Sequence, residues 1–461
     1  MNESILTQRI DGIIRLFLYI LIFWLPYSNA VVESCVILCL ILWLIKRGIL
    51  FYNLPLKNEE NKESSDVINA FKPSSSFLNR PISFFVFICI LSLTGSVYLQ
   101  QSLQGFLTKT LEWFIVYFLV IEAFQEKKHI MIALLVFIFS TIATSLDGII
   151  QFHVTGKDIF SGFTTAGGGA TAGFRHSNDL GGYLSFVVPL LFSLLFAKQS
   201  KGTLQSIVFL LFVITTWSLV ITFSRASWIA NVVGLLFCLF LLRRKLLSVF
   251  VFYFAVVSIS FYMISPTEIK HRFKVDTKNI QSTKDWRAEI WVDTLKMIKE
   301  RPLFGHGLNT YMKIFQVYRI KPGENTVDNP TYAHNCYLQL TSETGVLGLT
   351  GFLWIFGQLF VKMIRANRAI SKQKVVFVRE TGPRNGYLFK KEIEANPLFF
   401  SYLLVGSSAG ILTFLVHCFF DTDLYTLKLS ILLWYMVGIN VALYNLLVTR
   451  EMPTIKLATV S

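Results

Sequence analysis

Apolar runs long enough to cross a bilayer recur from one end of this chain to the other, and no other feature restricts its fold as severely. A bilayer core about 30 Å thick takes roughly 20 consecutive apolar residues in helical form. Such runs lie near residues 10–28, 30–45, 82–98, 107–125, 130–151, 180–197, 205–223, 226–242, 246–264, 344–365, 398–419 and 428–447. Of the 461 residues, 53% are hydrophobic and only 15% charged, where a soluble domain carries about a quarter charged residues. Lipid is therefore the expected solvent. The expected fold is all-α and integral to the membrane, with about twelve transmembrane helices.

The formal net charge of +15 admits two readings. One is a basic face for nucleic acid. The other is a membrane protein whose cytoplasmic loops are rich in Lys and Arg. The distribution decides for the second. With the N-terminus inside, the inside loops carry Lys46, Arg47, Lys57, Lys62, Lys72 and Arg80, then Lys127 and Lys128, then Lys198 and Lys201, then Arg243, Arg244 and Lys245. The last inside loop adds Lys362, Arg365, Arg368, Lys372, Lys374, Arg379, Arg384, Lys390 and Lys391. The outside loop near 99–106 has no charge, and that near 152–179 has only Lys157, Asp158, Arg175 and Asp179. Both termini are expected in the cytoplasm, and nucleic acid is not an expected partner. The first run lacks a small-residue cleavage site and reads as a retained span. Five of the six cysteines fall in apolar runs; Cys336 falls in an outside stretch with no evident partner, so neither a disulfide framework nor a zinc site is expected.

Three parts follow: spans one to nine over 1–264, a large outside loop over 265–343, and spans ten to twelve with a basic cytoplasmic loop over 344–461. Long loops translocate whatever their charge, and one of this length is expected to be functional and helical. Thr283 or Asp285 is placed to cap an amphipathic helix through Trp286, Ile290, Trp291, Leu295 and Ile298 that ends before Pro302. Gly305-His306-Gly307 reads as a turn, and Asn309 as the cap of a second helix through Tyr311, Ile314, Phe315 and Tyr318. Pro322-Gly323 and Asn329-Pro330 are further breaks.

Polar residues collect on the outer side in three places. Gly167-Gly168-Gly169, then Gly173-Phe174-Arg175-His176-Ser177-Asn178-Asp179 and Gly181-Gly182, precede span six. Glycines there permit close backbone approach, and Arg, His and Asn suit an anionic or sugar ligand; a plain helix cap is the simpler alternative. Ser224-Arg225-Ala226-Ser227 forms a tight turn between spans seven and eight. An Arg there either snorkels to the interface or holds a lipid phosphate at headgroup level. In the large loop stand Arg287 and then His334-Asn335, followed by Gly345 and Gly348. An imidazole in the first turn of a helix meets the positive end of the dipole, which favours the form able to accept a proton. The simpler alternative is a polar residue at a helix start.

These residues resemble those of the O-antigen ligase and polymerase family of bacterial envelope glycosyltransferases. His334-Asn335, nine residues, then Gly345-Val346-Leu347-Gly348 is similar to the ligases' His-Asn…Gly-x-x-Gly signature. Ser224-Arg225 resembles the family's Ser-Arg turn. Arg287 with Trp291 and Pro302…Gly305-His306-Gly307 resembles its Arg…Trp…Pro-x-x-Gly-x-Gly stretch, and Gly173 to Asn178 its Phe-x-(His/Asn/Pro)-x-Asn stretch. The matches span roughly 170–350. The resemblance implies a multi-span helical fold with a large periplasmic loop, a glycan donor on undecaprenyl pyrophosphate, no metal or other cofactor, and inversion at the anomeric carbon. It implies His334 as base and Arg225 and Arg287 as the cations that stabilise the leaving pyrophosphate, with Arg175 a third cation. His176, Asn178, Asn335, Gly305 and Gly307 are the expected substrate contacts. Asp421-Thr422-Asp423 reads as a polar turn. The expected location is the bacterial inner membrane with the site facing outward.

The acceptor is expected to be lipid A-core, since the spacing after His334-Asn335 fits the ligase form. A polymerase would instead use a growing lipid-linked glycan. A solute transporter also suits twelve spans, but Glu33, Glu112 and Asp147 are the few acids in candidate spans and no repeat is visible.

Overall fold

The computed structural model describes residues 3–52, 74–166, 168–197, 202–242, 255, 286–318, 332–372 and 397–450. Among these, the only extended pairings are two isolated bridges, Lys157 with Thr164 and Ala166 with Gly169; the rest of the regular structure is helical. The helices are α1 (Glu3–Trp24), α2 (Asn29–Tyr52), α3 (Asn79–Thr94), α4 (Leu99–Gly105), α5 (Leu111–Ala123), α6 (Lys127–Ile150), α7 (Ser177–Leu194), α8 (Gly202–Val220), α9 (Arg225–Leu242), α10 (Trp286–Glu300), α11 (Tyr311–Tyr318), α12 (Cys336–Lys372), α13 (Pro397–His417) and α14 (Leu427–Tyr444). A π turn, Phe106–Thr110, joins α4 to α5.

Helix occupies every stretch expected to span except 246–264, which apart from residue 255 lies outside the described residues. Seven of these helices are long and apolar enough to cross a membrane: α2, α6 with its π turn to Thr155, α8, α9, α12, α13 and α14. The apolar helix α3 has 16 residues, short of a full crossing. Outward-facing Leu135 and Phe139 of α6, Phe209 and Leu210 of α8 and Phe240 of α9 are all more than half exposed. So broad an apolar exterior fits lipid, not water.

The centre is built from helices that are apolar on every side, the pattern of a buried helix. Helix α7 packs against α13 and α9, and α14 against α5. Small residues permit the closest crossings. A Cβ at Gly410 or Gly406 would run into the backbone of Phe186 or Leu190 on α7, and one at Gly438 would meet Val120 of α5. Side-chain amides bind helices where apolar packing cannot: Asn440 accepts from Ser407 and Ser408 at 3.2 and 2.9 Å, and Asn231 donates to Ser185 at 2.9 Å.

Span ten departs from expectation. Its helix, α12, begins at Cys336 and not near 344, and it breaks at Gly345, whose φ is +72°. A break inside a buried helix strands backbone groups that must find partners. The segment 302–307 supplies them. Val346 N–H donates to the Pro302 carbonyl at 2.8 Å, while His306 and Gly307 N–H donate to the Ser342 and Glu343 carbonyls at 2.9 Å each. At Gly345 a side chain would land on the Leu303 carbonyl, and at Gly305, also at positive φ, on the Glu343 backbone.

The two loop helices form where the sequence places them, ending at Glu300 and Tyr318. Thr283, Asp285, Pro322-Gly323 and Asn329-Pro330 lie outside the described residues. The cap of α11 differs from expectation. Thr310, not Asn309, offers the carbonyl that accepts the first helical N–H groups, from Lys313 and Ile314. Asn309 adopts φ +58° and turns its amide oxygen to Lys109 Nζ at 2.9 Å, a long-range partner that local capping rules do not foresee.

Candidate functional site

The turn between α13 and α14, residues 418–426, gathers chemistry from three distant segments. Asp421 stands at its centre. Its Oδ1 lies 3.2 Å from His334 Nδ1 and accepts from Thr422 N–H at 2.9 Å, and its Oδ2 accepts from Asn178 Nδ2 at 2.9 Å. Arg287 Nη1 donates to the carbonyl of Phe420, the preceding residue, at 2.9 Å. Thus 178, 287 and 334, far apart along the chain, meet one loop.

Asp421 is nearly buried. Burial works to raise its pKa, but the hydrogen bond from His334 and the nearby imidazoles of His417 and His334 outweigh it and hold the carboxyl well below the usual carboxylate range. An ionised Asp421 can only accept. It therefore fixes Nδ1 of His334 as the donor and leaves Nε2 as the atom able to take a proton. Behind it, buried Asp423 accepts from His417 Nδ1 at 2.6 Å; burial raises Asp423, with the Asp421 charge adding to the effect against the opposing pull of His417.

His334 is not in the first turn of a helix, as the sequence leads one to expect. It precedes the cap, at φ +47°. Asn335 is the N-cap of α12: its Oδ1 accepts from Tyr337 and Leu338 N–H at 3.0 Å each. With that oxygen engaged, Asn335 shapes the helix entry, and the left-handed kink at His334 turns its imidazole to Asp421. Trp291 Nε1 donates to the carbonyl of Ala333 at 3.0 Å, so α10 holds the segment that carries His334. His334 retains a quarter of its side-chain surface exposed.

Helix α7 ties the Ser-Arg turn to the same end of the bundle. Asn178 meets Asp421, and one helical turn on, Gly181 packs against Ser224 and Ser227, which hydrogen-bond each other at 2.9 Å. A side chain at Gly181 would strike Ser227. Arg225, the first residue of α9, is exposed beside these buried serines. Arg175 and His176 are exposed just before α7. Their loop is pinned by Lys428, whose Nζ donates to the Gly173 and Pro26 carbonyls at 3.0 and 2.7 Å and sits over the Phe174 ring. Gly167 lies outside the described residues.

Gly305 and Gly307 are committed to the docking of the loop on α12, through the backbone contacts above. His306 between them is buried, with its pKa lowered by desolvation. Beside this docking, Glu343 accepts from Tyr311 N–H at 3.3 Å and Tyr425 O–H at 3.1 Å. Among the described residues no group of three or more His, Cys, Asp and Glu is arranged to hold a metal ion.

The residue that sequence reasoning passed over is Asp421, read as a polar turn. A carboxylate between two long apolar helices, four residues after His417, was the available signal, but its partners lie 87 and 243 residues away.

Residues 209–353 match the family model described as O-antigen ligase. That stretch holds Arg225, Arg287, Gly305, Gly307, His334 and Asn335, and it excludes Arg175, His176, Asn178 and Asp421. No curated protein matches the chain.

Proposed function

We propose that this chain, an O-antigen ligase family protein by its segment 209–353, transfers a glycan from undecaprenyl pyrophosphate to an acceptor hydroxyl on the outer face of the bacterial inner membrane. The family goes with membrane glycan transfer of the ligase or polymerase type. The observation that carries the reading is the contact between His334 and Asp421 at one end of the bundle, with Arg287 bound to the adjoining carbonyl.

In the proposed reaction the acceptor hydroxyl attacks the anomeric carbon as its proton passes to His334 Nε2. The bond from that carbon to the pyrophosphate oxygen breaks. Arg225 and Arg287, with Arg175 as a third cation, stabilise the negative charge that develops on the leaving group. Asp421 holds the imidazole in the tautomer and orientation the proton transfer needs. His176 and Asn178 flank the donor, Asn335 sets the helix entry beneath His334, and Gly305 and Gly307 keep the loop seated over the site. The topology has about twelve spans, both termini cytoplasmic, and the loop 265–343 outside. No metal ion takes part.

Lipid A-core is the proposed acceptor, on the ligase-like spacing from His334-Asn335 to Gly345 and Gly348. Purified protein in liposomes, given an undecaprenyl-pyrophosphate glycan, should release undecaprenyl pyrophosphate and glycosylate lipid A-core, with EDTA making no difference. Product only on a second lipid-linked glycan would identify a polymerase. Solute flux without glycan transfer would overturn the enzyme reading.

A further inference from the structure

We propose that Cys336 and Cys418 form a disulfide that staples the start of α12 to the end of α13 beneath His334 and Asp421. This rests on the proposed outward orientation of that end, since disulfides persist in oxidising compartments. The sequence offers Cys336 no partner, because Cys418 falls at the end of an apolar run 82 positions away. The fold brings them together. Cys336 N–H donates to the Cys418 carbonyl at 2.8 Å. One direct backbone hydrogen bond keeps the two Cα atoms within about 7 Å, the upper limit of what a disulfide can bridge. Both thiols are free and buried in this structure, so the bridge would form between two sulfurs already packed at one site.

Both sulfurs sit against the turn that carries Asp421. Cys336 Sγ donates to the Asp421 carbonyl at 3.2 Å and accepts from Leu424 N–H at 3.5 Å, while Cys418 Sγ lies 3.7 Å from Asp423 Oδ2. A bridge here ties together the two chain segments that His334 and Asp421 must hold in register. The other cysteines, Cys35, Cys39, Cys89 and Cys238, are buried on α2, α3 and α9.

The chemistry is thiol–disulfide exchange. A Cys336 or Cys418 thiolate attacks a protein disulfide of the outer compartment, forming a mixed disulfide and releasing one thiol. The second cysteine thiolate then attacks that mixed bond, closes the Cys336–Cys418 disulfide and releases the other thiol. Two electrons pass to the oxidant, whose two sulfurs leave as thiols, and the protein loses two protons. Both cysteines have no exposed surface in the finished fold, so exchange precedes closure of α12 on α13, and the bond is afterwards shielded from reductants.

The full-length protein, with thiol–disulfide exchange stopped at harvest by an acid quench that leaves free thiols protonated and unmodified, is denatured and labelled at neutral pH with a maleimide–polyethylene glycol that adds a visible mass per thiol. It has six cysteines; the expected result is four adducts (six less the bridged two) before reduction and six after. Six adducts before reduction would overturn the disulfide. Cys336→Ser should label at all five remaining cysteines without reductant; four or fewer would overturn this pairing. The outcome is independent of turnover: six free thiols in a preparation that transfers glycan removes the bridge and leaves the proposed function, whereas a bridged but inactive protein does the reverse.

Discussion

Two charged networks sit at opposite ends of this bundle, and they are built differently. One joins α1, α2 and α5. Lys46 binds Asp11 at 2.6 Å and Glu122 at 3.0 Å, Arg47 binds Glu122 at 2.6 Å, and Trp43 Nε1 donates to Glu122 at 2.9 Å. Each cation has a carboxylate, so the charge is settled locally. The other network lies around the start of α14, whereas Glu122 lies on α5 beyond Val120, which packs against Gly438 further along α14. There Arg287 meets a backbone carbonyl, Asp421 is shared by an imidazole and an amide, and Arg225 and Arg175 are exposed. The first arrangement holds helices together. The second orders polar groups around one carboxylate, with Arg225 and Arg175 at the surface beside it.

Substitutions sharpen this contrast, most strongly at the Asp421 end. His334→Ala should reduce glycan transfer by about 10²–10⁴-fold, the scale of a lost general base, with membrane insertion and detergent-solubilised size unchanged; wild-type turnover would remove it from the base role. Arg287→Ala and Arg225→Ala should each lower transfer by about 10²–10³-fold, the effect of removing a charge-stabilising donor. Lys at either position should restore only part, because a point charge does not reproduce the planar fork.

Asp421→Asn should cost about 10–100-fold, as partners that orient a reacting group typically do, and should alter the pH profile of turnover, which a purely structural role would not. The same carboxyl links stability to pH. Its pKa is held below that of an unfolded Asp, near 3.9, so its contribution is present above about pH 4 and lost as pH falls through the folded value. Thermal unfolding of wild type should therefore fall more steeply below pH 4 than that of Asp421→Asn. An identical slope would disconnect Asp421 from His334.

The smallest catalytic effect belongs to the other network. Glu122→Gln removes a carboxylate shared by two cations and should destabilise the fold by about 1–3 kcal/mol, read as a lower Tm, while turnover per folded molecule is kept. A Tm unchanged but activity lost would mean that the two ends are coupled in a way their separation does not indicate.

Local and periodic information carried far in the sequence. Apart from 246–264, which lies almost wholly outside the described residues, each apolar run falls on a helix, from α1 to α14 but not α4, α10 or α11, because a bilayer favours helical hydrogen bonding within each segment. Arg287, with Trp291 one turn on, marked α10, and Pro302 its end, because amphipathic spacing and a helix-breaking ring act on neighbours. His334-Asn335 and Gly345 could be picked out as special for the same reason: a cap and a positive φ are properties of a few consecutive residues. The helix boundary at 336 was hidden, since the polar residues from Gln339 to Thr344 lower hydropathy below that of a span even though the helix continues.

The sequence by itself determined that this chain is helical and apolar enough for a membrane, and where Pro302 ends the first loop helix; it did not determine the cap at Asn335 or the break at Gly345. Only the tertiary structure decided that Asp421 receives His334 and Asn178, that the 302–307 segment fills the break at Gly345, and that Cys336 faces Cys418. Each of these is a pairing between segments separated by tens to hundreds of residues. Hydrogen bonds and close backbone packing are short-ranged in space and indifferent to chain distance, so no periodicity along the sequence announces them.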